Sequence, residues 1–325
     1  MSAHSSFGFR TDARVTDWLA RPGHFTLSAE IIPPRNGGEA TKILAQVERL
    51  IASGAEFLSV TKGAGGSLRG GSLPIAQSIK ERFGVPCIAH FTCRDLTPEE
   101  VENLLMDHHY FGIRNILALR GDPPDGQAEW KPREGGYHYA YQLIEQIRAM
   151  NEGRFLTRAN SPEGLAASPS QERTRFCIGA AAYPEHPNVE EGLDYFTLKA
   201  RAGAEFGITD MLYDVDAYSR FLEGLGRRGI QIPILPGTRV LKSQAQAERM
   251  MKKFRVSIPK ALFSKLPPTE SPESERIGTE LFLELTESLR RAGAPGIHVF
   301  VIIDTTLASS AIRSLIPSGG IPNYL

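Results

Sequence analysis

The chain has 325 residues, of which 41% are apolar and 23% charged, and its 37 Lys and Arg residues balance 37 Asp and Glu residues. This composition is typical of a globular protein with a large core. A net charge of zero argues against a protein that depends on broad attraction to nucleic acid or to anionic membranes. No apolar run approaches the roughly 18 residues of a membrane-spanning helix, and the start, "MSAHSSFGFRTDARV", lacks the pattern of a secretory signal. We therefore expect a cytoplasmic protein.

The three cysteines, Cys87, Cys93 and Cys177, lie in or beside apolar runs. An odd number in that setting indicates reduced thiols in the core, as in cytoplasmic proteins. No CxxC pair and no cluster of histidines accompanies them, so the sequence predicts no metal site.

Short apolar runs alternate with amphipathic helical patterns along the chain. The runs lie at 25–32, 56–61, 86–92, 114–120, 175–183, 206–215, 230–236 and 297–303. Helical patterns between them include 39–54, 97–112 and 188–203. Because so many strand–helix units fit into about 300 residues, the pattern favours a (β/α)8 TIM barrel, an α/β fold of a single domain, over an open doubly wound sheet.

Two further features refine this prediction. Thr97, followed by a proline and two glutamates, is a strong start signal for the helix at 97–112. We expect one catalytic domain that spans residues 1–325. Three segments interrupt the alternation of strands and helices and are predicted to be insertions: 122–136, 151–174 and 258–275.

Polar residues recur where the predicted strands end. In a barrel of this kind, reactive groups come from the C-terminal ends of the strands and from the loops that follow them. These positions hold Glu30, Thr61, Lys62, His90, Arg120, Gly121, Asp122, Tyr183, His186, Asp210, Asp214, Pro236 and Gly237. Surface solvation explains one or two polar strand ends but not their recurrence, so we expect an active site there.

Glu30 lies in "TLSAEIIPPR" between Ala29 and Ile31, where a carboxylate is unfavourable unless it is paired or protonated. Burial would raise its pKa and suit it to general acid catalysis. The alternative is a structural ion pair, with Arg35 or with a neighbouring strand.

The stretch "RNILALRGDPPDG" (114–126) ends a predicted strand in opposite charges. It could be an ordinary turn, because Gly-Asp-Pro-Pro breaks structure unaided. An adhesion role for Arg-Gly-Asp would need an extracellular loop, which the cytoplasmic expectation excludes. In an active site, Asp122 could stabilise a developing cation and Arg120 could hold an anionic group.

Several of these segments together resemble the methylenetetrahydrofolate reductase family in its single-domain bacterial form. The matching segments are "AEIIPPR", "VTKGAG", "AHFTCRDLTPEEV", "GIRNILALRGDPP", "IGAAAYPEHP", "LKARAGAEFGIT" and "YDVDAY". They occur in the family's order and spacing over roughly residues 24–300.

The resemblance implies a barrel that holds FAD at its C-terminal face. Such an enzyme takes hydride from NADH or NADPH and reduces 5,10-methylenetetrahydrofolate, its folate substrate, to 5-methyltetrahydrofolate. By motif match, Glu30 would be the general acid that helps to open the five-membered ring of the folate, and Asp122 would lie beside the flavin and stabilise the resulting cation. The positions that match flavin contacts are Thr61, His90, Arg120, Gly121, Asp122, Tyr139, Ala140, Tyr183, His186 and Lys199. The resemblance also implies a homo-oligomer.

The chain departs from the family pattern on the substrate side. Asp210 stands where the family usually has glutamine, Gln244 where it has an aromatic residue and Lys62 where it commonly has tyrosine. Asp304 replaces an arginine at the last strand end. We expect Asp210, Gln244 and Lys62 to bind substrate. For Asp210 the chemistry fits, since a carboxylate pairs well with the N–H groups of a pterin.

Two other functions fit the same scaffold. One is a folate- or pterin-binding methyl-transfer protein that has altered or lost hydride chemistry. The other is a subunit of a folate-handling complex whose electrons come from a partner. No dinucleotide-binding fingerprint is present, so the sequence does not distinguish NADH from NADPH.

Overall fold

The structure is a computed structural model that describes residues 5, 7–34, 40–63, 70–123, 130–156, 173–254, 256–301 and 305–316. It confirms the predicted (β/α)8 barrel, because eight parallel strands close in chain order and the first pairs with the last. The strands are β1 (Thr26–Ile31), β2 (Phe57–Val60), β3 (Cys87–Thr92), β4 (Asn115–Leu119), β5 (Cys177–Ala182), β6 (Phe206–Met211), β7 (Ile234–Thr238) and β8 (Gly296–Phe300).

Helices follow the strands and cover the barrel, except for a short first helix that precedes β1. They are α1 (Thr16–Leu19), α2 (Ala40–Ala52), α3 (Ser72–Phe83), α4 (Pro98–Tyr110), α5 (Ala140–Asn151), α6 (Val189–Ala202), α7 (Val215–Arg227), α8 (Gln244–Phe254), α9 (Lys260–Phe263), α10 (Ser274–Arg291) and α11 (Thr305–Ser314). Within the described ranges, none of these helices has the length and apolarity to cross a membrane.

Alternating strand residues divide the core into two parts. Outward-facing side chains such as Val60 and Phe91 pack with the helices in a large apolar cluster. Inward-facing side chains, including Phe57, Leu117 and Phe206, form a second cluster inside the barrel. This division follows from the two-residue period of a strand, which sends successive side chains to opposite faces.

The N-terminal segment closes one end of the barrel. Val15 and Leu19 belong to the inner apolar cluster, and the Val15 N–H donates to Asn115 Oδ1 at the start of β4 over 2.9 Å. Nearby, Asp12 Oδ2 accepts hydrogen bonds from Cys87 N at 3.3 Å and Asn115 Nδ2 at 3.0 Å. Because these contacts lie where the strands begin, the opposite, C-terminal mouth is the end that remains for a site.

The start of β7 and the end of β6 differ most from the sequence prediction. β7 was predicted at 230–236 but occupies Ile234–Thr238, because Pro233 has no N–H and enters the pairing only through its carbonyl, which accepts from Gly207 N at 2.8 Å. β6 was predicted to reach residue 215 but ends at Met211, and Asp214 instead caps α7 by accepting hydrogen bonds from two backbone N–H groups.

An additional helix follows β7. α10 packs against α7 and α11 and so takes the regular place in the helical ring. α8 and α9 therefore belong to an excursion before α10, held together where Gln244 N donates to Pro267 O at 2.9 Å. The predicted insertion at 258–275 contains α9, while residues 124–129 and 157–172 of the other two lie outside the described residues. The insertion bounds and the single-domain organisation stay predictions.

Candidate active site

An acid and an imidazole lie side by side inside the C-terminal mouth. Glu30, near the end of β1, has a side chain only 12% exposed, and its Oε2 lies 3.7 Å from Nε2 of His90 on β3. Burial raises the pKa of Glu30 to about 8 and lowers the pKa of His90 to about 4. At neutral pH both groups are therefore uncharged, and Glu30 carries a proton. With His90 this is a contact of two neutral groups rather than the structural ion pair; Arg35 lies outside the described residues.

A second imidazole lies deeper in the barrel. His298 Nδ1 is 2.8 Å from Ser28 Oγ, and its Nε2 is 3.1 Å from Ser59 Oγ. Burial, followed by the proximity of His90, lowers the pKa of His298 to about 3, so this ring is also neutral. Sequence reasoning did not identify His298. The alternation in "IHVFVII" could have placed its side chain on one face of the strand, two residues before Phe300.

Two buried polar atoms near Glu30 have no hydrogen-bond partner among the described residues. They are Thr61 Oγ1, directly after β2, and His90 Nε2. Buried polar groups are nearly always hydrogen-bonded in folded proteins. Their position at the strand ends makes them available to a bound molecule.

The turn after β4 requires glycine. Gly121 has φ of +96°, and a Cβ there would lie 2.8 Å from Cβ of Arg94. The Arg94 guanidinium donates to the carbonyl of Asp122 and fixes the turn, while the Arg120 guanidinium lies 5.8 Å from the centroid of the Trp130 ring. The absence of a side chain at Gly121 therefore lets Arg94 pack against the turn. Sequence reasoning named neither Arg94 nor Trp130.

The ends of β4, β5 and β6 share one electrostatic neighbourhood around Tyr183. Lys199 Nζ lies 5.2 Å from the Tyr183 ring centroid and donates to Ala181 O at 2.8 Å. Burial and then Arg120 lower the pKa of Lys199 to about 8. The pKa of Tyr183 is raised to about 12, first because protein atoms displace water from its hydroxyl and then because of the charges of Asp210 and Asp122.

Solvent reaches Tyr183 and Asp210 at this part of the mouth. Tyr183 is 44% exposed and Asp210 is also exposed, while neighbouring protein atoms raise the pKa values of both groups by displacing part of their water. A ligand at the mouth can therefore reach both side chains.

A group of stacked aromatic side chains lies at the start of α5 and on α6. Tyr139, just before α5, stacks on Tyr141 at 5.8 Å and on Tyr195 at 6.1 Å between ring centroids. The His186 ring is 6.3 Å from Tyr195, and its Nδ1 is 2.7 Å from the carbonyl oxygen of Asn188. Ala140, also predicted here, is a buried residue that begins α5. Flat, partly exposed rings of this kind suit a planar ligand.

Two carboxyl groups with raised pKa values line the far side of the mouth. The β6–β7 pairing is irregular between Ile208 and Met211, which flank Asp210, and such irregularities re-aim side chains beside active sites. Burial raises the pKa of Asp210 to about 7. It also raises the pKa of Glu185 to about 7, helped by Asp210 and Asp214. Glu185 was missed, although it lies in the quoted segment "IGAAAYPEHP".

Two of the predicted substrate residues make contacts within the protein. Lys62 Nζ lies 4.6 Å from the ring centroid of Phe91, which faces the helices. Gln244 Nε2 donates to Leu266 O at 3.0 Å and so ties α8 to the chain after α9. Their roles in substrate binding stay predictions, and Asp304 lies outside the described residues.

A closed (β/α)8 barrel whose titratable and aromatic side chains gather at the C-terminal mouth has the architecture of the TIM-barrel enzymes. A family model described as methylenetetrahydrofolate reductase matches residues 14–315. The chain belongs to the methylenetetrahydrofolate reductase family, which confirms the resemblance found in the sequence.

Individual relatives agree with this assignment. The chain is 29% identical over 303 residues to methylenetetrahydrofolate reductase (NADH) 1 of Zea mays, covering 92% of this chain and 49% of the relative. It is 29% identical over 286 residues to 5,10-methylenetetrahydrofolate reductase of Escherichia coli K12, covering 86% of this chain and 87% of the relative. The chain thus spans about half the length of the plant relative and most of the bacterial one.

A solved structure has a similar fold. It is described as an uncharacterized protein from Clostridium thermocellum that binds two copies of 5-methyl-5,6,7,8-tetrahydrofolic acid. The TM-score is 0.56 at 18% identity, over 93% of this chain and 98% of the other. At this identity the likeness concerns the fold.

Proposed function

We propose that this protein is a flavin-dependent oxidoreductase that reduces 5,10-methylenetetrahydrofolate to 5-methyltetrahydrofolate with hydride from NADH or NADPH. The observation that carries the proposal is the protonated Glu30 beside a neutral His90, at the same barrel mouth as several aromatic and cationic side chains. Family membership supports the same reaction.

The residues of the mouth suit FAD. Thr61 and His90 offer buried polar atoms that lack hydrogen-bond partners within the described ranges, and Gly121 matches a flavin-contact position of the family. Arg120 and Lys199 would hold the anionic pyrophosphate. The exposed rings would border the flat parts of the molecule, with Tyr183, Tyr139 and His186 as the predicted contacts. When bound, the flavin supplies the hydride, which no side chain can donate.

In this proposal Glu30 moves a proton. It donates its proton to a nitrogen of the folate's five-membered ring, and that nitrogen keeps the electron pair of the breaking C–N bond. The lone pair of the other ring nitrogen forms a second bond to the methylene carbon, which gives an iminium cation. Because the pKa of His90 is lowered to about 4, His90 does not take the proton away from the acid at neutral pH.

Three acidic residues of the mouth would interact with the substrate. Asp122, at the end of β4, would stabilise the iminium charge electrostatically. Asp210 and Glu185 would accept hydrogen bonds from pterin N–H groups, because a carboxylate pairs well with such donors.

The test is the absorbance spectrum of the purified protein, followed by anaerobic addition of NADH or NADPH. We expect a bound-flavin spectrum that one of the nicotinamides bleaches and that methylenetetrahydrofolate restores. Colourless protein that still binds folate would favour the methyl-transfer alternative. Bound flavin that neither nicotinamide bleaches would favour a complex with an electron-supplying partner.

The proposal includes a cytoplasmic location. All three cysteines are buried free thiols, as expected in a reducing compartment. Association into a homo-oligomer stays a prediction from the family resemblance.

A further inference from the structure

A cavity of about 450 Å³ opens beside the proposed site, between the ends of β7 and β8 and the additional helix α8. Four cationic side chains line it, Arg239, Lys242, Arg249 and Lys253, with Glu270 among them. None of these residues was predicted as part of the site from the sequence.

Among the described lining residues, cations outnumber carboxylates. Glu270 lies 3.1 Å from Lys242 Nζ and 4.0 Å from Arg249, and Lys242 Nζ also lies 4.0 Å from Glu275. Among the described residues, Arg239 and Lys253 have no carboxylate within 4.0 Å. Partial burial lowers the pKa of Arg239 by removing water from its guanidinium. A poorly hydrated, unpaired guanidinium gains strongly from a carboxylate or phosphate that can accept two hydrogen bonds.

Apolar side chains form the rest of the lining and connect the cavity to the acid. Met250, Phe300 and Leu307 contribute to it. Phe300 is the last residue of β8 and stands level with Glu30 on the paired strand β1. A molecule that reacts beside Glu30 can therefore extend across Phe300 towards the cations.

We propose that this cavity binds the negatively charged end of a substrate whose reactive end lies beside Glu30, an inference that rests on the proposed function. The ligand is an elongated molecule with a flat apolar part, which covers Phe300 and Met250, and with carboxylates or phosphates, which pair with Arg239 and Lys253. Two sources supply this chemistry: the glutamate tail of the folate and the phosphates of the nicotinamide dinucleotide. Anion binding by loops after the seventh and eighth strands is common in this fold.

The first arm of the test measures equilibrium binding of 5-methyltetrahydrofolate carrying one or five glutamates, by calorimetry on the intact protein. We expect the five-glutamate form to bind at least about tenfold more tightly. Arg239→Gln should weaken binding of the five-glutamate form about tenfold, and Lys253→Gln should weaken it about threefold. Lys252→Gln, on the same helix but outside the cavity lining, is the matched control and should leave both affinities unchanged.

The second arm compares NADH with NADPH, which carries an additional phosphate. If Arg239→Gln weakens NADPH but not NADH, and tail length has no effect on folate binding, the cavity still binds an anion and its source is the dinucleotide. If neither comparison responds to Arg239→Gln or to the Arg249→Gln/Lys253→Gln double variant, the inference is wrong. The double variant keeps the test valid if Arg239→Gln does not fold. Failure of the single-glutamate folate to bind at all would instead contradict the proposed function.

Discussion

Glu30 and His90 illustrate how burial alone can set protonation at a site. Both groups lie inside the barrel, and burial causes both pKa shifts. The shifts have opposite signs because burial disfavours the charged form of each group. The result is an acid that keeps its proton at neutral pH beside a histidine that does not accept it.

This arrangement predicts the pH dependence of folate reduction. Since the pKa of Glu30 is raised to about 8, the proton donor is present below that pH and is lost above it. We expect the rate constant of the folate half-reaction to be level near neutrality and to fall about tenfold per pH unit above pH 8. Rapid-mixing measurements on reduced protein test this, and a rate that stays level to pH 9.5 would contradict it.

Asp122→Asn should leave flavin bound but slow folate reduction by about a hundredfold, because an amide stabilises a developing cation less than a carboxylate does. The measurement is the reoxidation of reduced flavin by methylenetetrahydrofolate. Asp107→Asn, an exposed substitution on α4, is the control. An unchanged folate half-reaction in Asp122→Asn would remove Asp122 from the mechanism.

Gly121→Ala combines two unfavourable effects. Its φ of +96° disfavours any side chain, and the new Cβ would lie 2.8 Å from Arg94. We expect weaker flavin binding and a loss of about 1–3 kcal/mol in the free energy of unfolding. Gly135→Ala separates the effects, because Gly135 has φ of +74° and a Cβ there would meet no atom within 4 Å. Equal losses in both variants would show that the contact with Arg94 is unimportant.

At the scale of elements, apolar alternation was enough to predict all eight strands, and the start signal at Thr97 was confirmed. The sequence did not predict α8, because an excursion between β7 and α10 does not repeat the strand–helix unit. Its position against Phe300 and Leu307 depends on contacts between distant parts of the chain.

The candidate site also has a part that the sequence predicted and a part that it did not. Strand ends were sufficient to bring Glu30, Thr61 and His90 to one mouth, since parallel strands share a direction. The sequence could not give the contacts of Arg94 or His298, which join residues far apart in the chain. Lys62 is the second residue after β2 and lies two positions beyond the outward-facing Val60, and its ammonium group lies over the outward-facing Phe91. The two-residue period could have indicated that direction.

Thr97→Ala tests how the cap holds α4. Thr97 Oγ1 accepts from Glu100 N at 3.3 Å, and Glu100 Oε2 accepts from Thr97 N at 2.8 Å. Loss of this reciprocal pair should lower the free energy of unfolding by about 1 kcal/mol in urea denaturation. Thr279→Ala, at a half-buried position of α10 whose hydroxyl donates to Glu275 O within the helix, should change it by less than about 0.5 kcal/mol. The cap is unimportant if the two variants are equally stable.

At the scale of the whole molecule, the barrel is closed at one end and open to ligands at the other. Asp12 belongs to the closed end, is buried, and accepts hydrogen bonds from Cys87 and Asn115. Burial raises its pKa from 3.8 to about 7. The folded state therefore binds more protons than the unfolded state between these values, and stability falls as pH rises through that window.

Asp12→Asn should remove this contribution while keeping an acceptor for the same hydrogen bonds. We expect the wild-type protein to lose about 1–3 kcal/mol more stability than the variant between pH 5 and pH 8. Urea denaturation at the two pH values measures the difference. Parallel pH dependence in both proteins would show that Asp12 titrates normally.

The central claim is that Glu30 acts in folate reduction alone, and Glu30→Gln tests it most directly when both half-reactions are measured in one anaerobic rapid-mixing experiment. The nicotinamide should bleach the bound flavin at close to the wild-type rate, because that step needs no proton from Glu30. Methylenetetrahydrofolate should reoxidise it about a thousandfold more slowly, since glutamine cannot donate the proton. Equal losses in the two steps would make Glu30 a structural residue, and an unchanged folate step would contradict the mechanism.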